Sequence, residues 1–176
     1  GERIERLVGD LLDLARFEAG GISLAQESVD VAELFERVSE RHANTANDKQ
    51  VSIVIAPLDE DLRLVGDPMR IEQALQNLAA NALRHTPPNG VIRLGAERDA
   101  GRIRLTVSDN GIGIPAEHLP HVFDRFYKAD RSRSQSGSGL GLSIVKAIIE
   151  RHGGTVSARS IPNVETVFEV TLPLTS

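Results

Sequence analysis

Residues 136–146 read SGSGLGLSIVK. Gly137, Gly139 and Gly141 alternate, and the chain then turns at once into an apolar run at helical spacing: Leu140, Leu142, Ile144, Val145, Ile148 and Ile149. Glycines that feed a helix N-terminus leave unpaired backbone N–H groups at the positive end of the helix dipole, where anions collect. The stretch is therefore expected to cradle phosphate, through Gly137, Ser138, Gly139, Leu140, Gly141 and Leu142. Its G-x-G-x-G spacing matches neither the G-x-G-x-x-G of dinucleotide folds nor a Walker loop, which needs Gly-Lys-Ser/Thr. A Gly/Ser linker ahead of a helix is the plain alternative.

The segments around it mix helices with paired strands. Residues 2–19 read as a helix with Ile4, Leu7, Leu11 and Leu14 at alternating spacings of three and four, flanked by Val8 and Ala15, and Gly20-Gly21 ends it. So narrow a seam on a charged helix is too short to stand alone and asks for a bundle or dimer partner. A strand and turn follow over 24–31, an amphipathic helix over 31–47, and strands over 51–56 and 61–65. Asp67-Pro68 supplies a side-chain acceptor at the N-cap and proline in the first turn of a helix that stops before Pro87-Pro88. Strands over 91–97 and 102–109 turn at residues 99–101, a helix occupies 139–152, and strands over 155–160 and 165–172 close the chain. That order predicts an α+β protein: a two-layer α/β sandwich with helices on one face of a mixed sheet, preceded by the N-terminal helix.

Three clusters carry chemistry. On helix 68–86, Ile71, Leu75, Leu78 and Ala82 form the apolar stripe, while Asn77, Asn81 and Arg84, with His85 beside them, form a second. Mid-helix asparagines are poor helix formers. An amide oxygen is a hard neutral ligand for Mg²⁺, and an arginine nearby can meet phosphate oxygens; an ordinary solvated polar face is the competing account. On strand 102–109, Ile103, Leu105, Val107 and Asp109 share one face by the period of two, so a carboxylate ends the strand on the core side. Such a group needs donors. The exocyclic amine of adenine is one, and the backbone N–H groups of the following turn are another. Gly111 and Gly113, followed by Ile114, let the backbone approach a flat ring. Lys128, Arg131 and Arg133 put local positive charge on a Ser/Gly-rich stretch after Phe123 and Phe126, suited to closing over a triphosphate; a solvated loop is the competing account.

That local charge matters because the chain as a whole is acidic, at −5, which argues against a protein devoted to nucleic acid. With no cysteine there is neither a disulfide framework nor a thiolate metal site. No apolar run reaches membrane-spanning length.

In sequence order, Asn77-x-x-x-Asn81 with Arg84-His85-Thr86, DNGIGIP at 109–115, FDRFYKAD at 123–130 and GSGLGL at 137–142 resemble the N box, first glycine box, F box and second glycine box of sensor histidine kinases. The opening RIERLVGDLLDLARFEAG resembles the second helix of that family's dimerisation domain, so residues 1–20 would be part of it and 21–176 the catalytic domain. The resemblance implies the Bergerat ATP-binding fold. It implies Asn81 as Mg²⁺ ligand with Asn77 beside it, Arg84 on phosphate and His85 lining the nucleotide. Asp109 would read the adenine amine, Gly111, Gly113 and Ile114 would border the base, and Phe126, Lys128, Arg131 and Arg133 would belong to the lid region. Thr166 sits where the family usually has Gly-x-Gly-Thr, but here Asn163-Val164-Glu165 precedes it. The implied cofactors are ATP and Mg²⁺. The implied partners are a phosphoacceptor histidine helix, a response regulator and a second copy joined through residues 2–19, in the cytoplasmic part of a membrane-anchored parent.

None of His42, His85, His118, His121 or His152 stands in the family's acceptor context, so the substrate histidine is expected outside this chain. His118 and His121 read as a solvent-facing pair rather than a metal site. Two other functions compete: a hydrolytic clamp ATPase, which would carry an acidic base where Asn77 stands, and a non-catalytic dimerisation module.

Overall fold

The computed structural model describes residues 2–127 and 139–174. Helix α1 (Glu2–Glu18) precedes β1 (Glu27–Asp30), α2 (Val31–Lys49), β2 (Ser52–Ile55), β3 (Arg63–Gly66), α3 (Pro68–His85), β4 (Val91–Asp99) and β5 (Arg102–Asp109). A single 3-10 turn at Leu119–His121 leads toward α4 (Gly141–Arg151), β6 (Thr155–Ile161) and β7 (Glu165–Pro173). The main sheet runs β2-β4-β5-β7-β6; β2 is parallel to β4 and the other neighbours are antiparallel. β1 and β3 form a separate antiparallel pair. The mixed sheet and one-sided helices are those the sequence predicts.

Alternation decides which face the helices take. Ile92 and Leu94, then Ile103, Leu105 and Val107, then Phe168, Val170 and Leu172 all bury on one side. They meet Ile71, Leu75 and Leu78 of α3 and Ile144, Val145, Ile148 and Ile149 of α4 in one core. The other side is polar: Arg104 pairs with Glu97, Asp99 and Glu169, and Arg159 with Glu169. A sheet with one wet face needs only one layer of helices.

The start of α3 is fixed from three directions. Asp67 accepts from Arg70 N at 3.2 Å and from Ala25 N at 3.0 Å, and its own N–H donates to His152 Nε2 at 3.1 Å. The proline at the first turn and the aspartate cap behave as the sequence predicts.

The expected seam of α1 is divided. Leu14 buries against the domain and Leu7 half-buries, whereas Ile4, Val8, Leu11 and Leu12 stay exposed. The reason is Phe17, which a spacing based on leucines overlooks. Its ring is 2 % exposed under the Arg70 guanidinium, 5.2 Å from the ring centre. Arg151 of α4 holds the carbonyls of Phe17 and Ile22, and Arg125 pairs with Glu18. These contacts rotate Leu14 and Phe17 inward and turn the remaining apolar stripe outward. No described helix is long and apolar enough to cross a membrane.

Candidate nucleotide site

α3 carries the amides and lies against α4, with Asn77 Nδ2 donating to the Gly141 carbonyl at 3.2 Å. That bond uses one of the two amide protons and turns the NH₂ group toward α4. Among the described residues Asn77 Oδ1 takes no hydrogen bond, so a hard oxygen is left for a cation. Asn81, one turn further on, is 7 % exposed, and its Oδ1 receives only a long contact, 3.4 Å, from Arg84. Amide oxygens one helical turn apart are hard neutral donors that can join phosphate oxygens and water around Mg²⁺, but do not make a cation site by themselves. Burial first, and the charge of Arg6 second, lower the Arg84 pKa from its ordinary value, which makes this a place where an anion is welcome.

α4 opens at Gly141 with no side chain at its cap, which leaves first-turn N–H groups for an outside acceptor. Gly139 adopts a left-handed φ of 79°, and its carbonyl receives the Phe126 N–H at 2.7 Å, closing the base of the loop. Phe126 itself is exposed, and Leu140 is buried with Leu142 packed half-buried against the core. The remaining predicted phosphate and lid residues, Lys128, Arg131, Arg133, Gly137 and Ser138, lie outside the described residues.

Eight residues along α3 from Asn77, about 12 Å of helix rise, stands His85. Its carbonyl accepts the Ile112 N–H at 3.3 Å and so ties the helix to the turn after β5. A Cβ on Gly111 would lie 2.4 Å from that carbonyl oxygen and 2.9 Å from Asp109 Oδ1, so only glycine fits. Asp109 is 6 % exposed. Its Oδ1 accepts from Gly111 N at 2.9 Å, while among the described residues Oδ2 has no donor. One oxygen thus serves its own turn, as one of the two sequence accounts expects. Burial pushes its pKa above the ordinary carboxylate value, and the Gly111 N–H opposes that only in part. A carboxyl kept dry with a free oxygen is a site for a strong donor.

Thr166, 4 % exposed, pairs directly across the sheet from Asp109. Its edge of the cleft forms without the family's glycines. Asn163 takes the left-handed conformation, φ 63°, that glycine would supply, and asparagine tolerates it best among other residues. The Asn163 N–H donates to the Ile112 carbonyl at 3.0 Å, and the Ile114 N–H to Ser160 Oγ at 2.9 Å. The two turns are thereby stitched together. His118 and His121 stand apart from this site, engaged with Tyr127 and Asp124 respectively. A groove of about 440 Å³ between α1, residues 123–125 and α4 is lined by Leu14, Phe17 and Ala147 and by none of the nucleotide-site residues named above.

Lys49 escaped the sequence reading. It sits at the end of α2, donates to the Leu83 carbonyl, and brings positive charge to His85. The His85 pKa is lowered, first by the protein packed around the ring, then by Arg84 and Lys49. No spacing links a lysine on one helix to a histidine 36 residues on, so nothing in the sequence announces it. Replacing Lys49 by methionine is expected to move the His85 titration upward, read from its ring protons by NMR; an unmoved midpoint would remove Lys49 from the site.

Comparisons with known proteins identify the family. Residues 66–176 match the family of histidine kinase-, DNA gyrase B- and HSP90-like ATPases. The chain is 40% identical over 174 residues to the sensor protein DivL of Caulobacter vibrioides, covering 98% of this chain and 22% of that protein. It is 38% identical over 174 residues to the sensor protein IrlS of Burkholderia pseudomallei, covering 98% and 37%. The chain thus spans 22% and 37% of the length of these two curated relatives. Full-length ShkA solved with AMPPNP superposes with a TM-score of 0.85 at 31% identity, over 97% of this chain and 36% of that one. The nucleotide-free catalytic domain of the histidine kinase ThkA gives 0.75 at 30% identity, over 85% and 96%. The chain belongs to the histidine kinase-, DNA gyrase B- and HSP90-like ATPase family, as the ATP-binding domain of a sensor histidine kinase.

Proposed function

We propose that residues 21–176 hold Mg²⁺-ATP for transfer of its γ-phosphoryl group to a histidine imidazole outside this chain. Asp109 Oδ2 takes the adenine amine, and Gly111, Gly113 and Ile114 border the base. Arg84 and the open N-terminus of α4 take the phosphates, and His85 lines the cleft between them. Asn81, with Asn77 beside it, holds Mg²⁺, which screens charge between the phosphates. The family resemblance assigns Lys128, Arg131, Arg133, Gly137 and Ser138 to closing the site over the triphosphate. The observation that carries this reading is the layout along α3: the Asn77 and Asn81 amides at one end, Asn77 beside Gly141, and at the other the Asp109 carboxylate of β5, buried and accepting from Gly111 through one oxygen.

The chain's contribution to the reaction is positioning and charge neutralisation. Asn77 occupies the place where a hydrolytic ATPase of this fold would carry an acidic base, and an amide hydrogen-bonded to Gly141 cannot act as one. Residues 1–20 are read as the returning helix of a dimerisation hairpin, with Ile4, Val8, Leu11 and Leu12 as the stripe that a bundle of two copies would cover. The acceptor histidine would lie on the other helix of that hairpin, and a response regulator would receive the phosphoryl group in turn. A cytoplasmic setting in a membrane-anchored parent is the family's habit.

The test is direct. This chain, given γ-labelled ATP and Mg²⁺, should acquire no acid-labile phosphate itself but should label a supplied hairpin from a related kinase. Asn81→Ala should cut that labelling about a hundredfold and weaken the response to added Mg²⁺. Labelling that survives EDTA, or phosphohistidine on this chain, would overturn the assignment.

A further inference from the structure

The register of the sheet places three hydrogen-bonding side chains in one row. Asp109 pairs with Thr166 across β5 and β7, and Thr166 pairs with Ser160 across β7 and β6. Directly opposed residues of antiparallel strands point to the same face. Here that is the helix-covered face, since Val156 and Ala158 of β6 pack toward the core in step with Ser160. Thr166 Oγ1 and Ser160 Oγ are 2.8 Å apart, and Ser160 Oγ also accepts the Ile114 N–H at 2.9 Å.

Two directions are open to this chain, and they differ in which hydroxyl proton is left over. The Ile114 amide can only donate, so Ser160 Oγ is its acceptor and must place its own proton elsewhere. Among the described residues, Thr166 Oγ1 is the only acceptor it reaches. If instead Thr166 donated to Ser160, the serine proton would have no acceptor and two threonine lone pairs would sit beside the Asp109 carboxylate. Each arrangement leaves one hydroxyl proton without a partner among the described residues: the first leaves that of Thr166, which stands in register with Asp109, and the second leaves that of Ser160.

We propose that Ser160 is a positioning residue for base recognition: by donating to Thr166 it fixes that hydroxyl as a donor toward the ring nitrogen beside the amine that Asp109 takes. This rests on the nucleotide reading above. Adenine presents a donor amine next to an acceptor nitrogen, and the Asp109–Thr166 pair answers with acceptor and donor in that order. Hypoxanthine reverses both groups. The glycine turn shares the device, because Gly113 packs so close that an added Cβ would meet Ser160 Oγ at 3.1 Å.

Calorimetric titration of this chain with ADP and with inosine diphosphate separates the possibilities. Ser160→Ala is expected to weaken ADP about five- to tenfold, the scale of one misdirected hydrogen bond, and inosine diphosphate less than about twofold; Ser160→Thr should restore the difference. Thr166→Val should lose the same discrimination, and adding Ser160→Ala to it should change nothing more. An unchanged ratio between the two nucleotides overturns the proposal, whether both affinities hold or both fall together, since an equal fall means that Ser160 only props the turn. Should Ser160→Ala not fold, an unchanged ratio in Thr166→Val overturns it equally. A wild-type chain that binds no ADP removes the nucleotide reading itself, and the role of Ser160 with it.

Discussion

Asp109→Asn is expected to weaken a non-hydrolysable ATP analogue by about a hundredfold or more while the nucleotide-free domain melts no lower than wild type. The two effects have one cause. The carboxylate is 6 % exposed and among the described residues only Gly111 N donates to it, so the folded chain bears the cost of a largely buried negative charge that is half satisfied. Asparagine keeps the same shape and can still accept from Gly111 through its oxygen, but its second position becomes an NH₂ group. That removes a charge-assisted bond worth about 1.5–3 kcal/mol, and it sets donor against donor at the adenine amine. The pH dependence carries the sign. Because burial raises the Asp109 pKa, its stability contribution is full below the unfolded-state value and is lost as pH rises through the folded one. The variant lacks that loss, so its stability relative to wild type should grow across the same window and level off above it. Calorimetric binding together with melting curves at several pH values reads both. An asparagine variant that binds the analogue as wild type does, or one that melts well below it, would mean that the carboxylate faces no ligand.

How the chain came to be legible follows from where its signals lie. Asp67-Pro68 marks the start of α3 by a local device, a cap and a fixed φ, and the helix begins there. The strand alternation that ends on Asp109 puts a carboxylate on the core side without any knowledge of its neighbours, and the burial of that strand follows it residue by residue. Non-local facts were invisible. Asn77 meeting Gly141 joins residues 64 apart, and nothing in either segment says which amide atom is engaged. The seam of α1 was read from its leucines, yet its orientation is decided by Phe17 together with Arg70, Arg125 and Arg151, which arrive from three other segments. Missing glycines before Thr166 looked like a gap in the family pattern. The turn closes anyway, because Asn163 can hold a positive φ and its N–H finds the Ile112 carbonyl. Residue types carry chemistry; only the register of β5, β7 and β6 shows which of them stand side by side.

That stitched edge supports the second large effect. Gly113→Ala is expected to cost about 2–4 kcal/mol, a fall of roughly 5–15 °C in Tm for a domain of this size, and to weaken nucleotide binding with it. Two penalties add at this position. Its φ of +83° is left-handed, which costs an L-residue roughly 1 kcal/mol or a little more. In addition, a Cβ would sit 2.6 Å from Pro162 Cα and 3.2 Å from Asn163 N. Those atoms are backbone and cannot swing aside, so the turn carrying Gly111 and the turn before Thr166 must separate. The bonds from Asn163 N to Ile112 O and from Ile114 N to Ser160 Oγ then stretch together. Gly101 supplies the internal control. It has the same φ of +83°, but a Cβ there meets nothing within 4 Å. Gly101→Ala should therefore show the backbone penalty alone, with nucleotide affinity unchanged. If the two variants melt together and bind alike, the contact between the turns is not what shapes this end of the site; if Gly113→Ala alone loses both stability and affinity, the adenine end of the site depends on two turns, one after β5 and one before β7, being held within van der Waals contact.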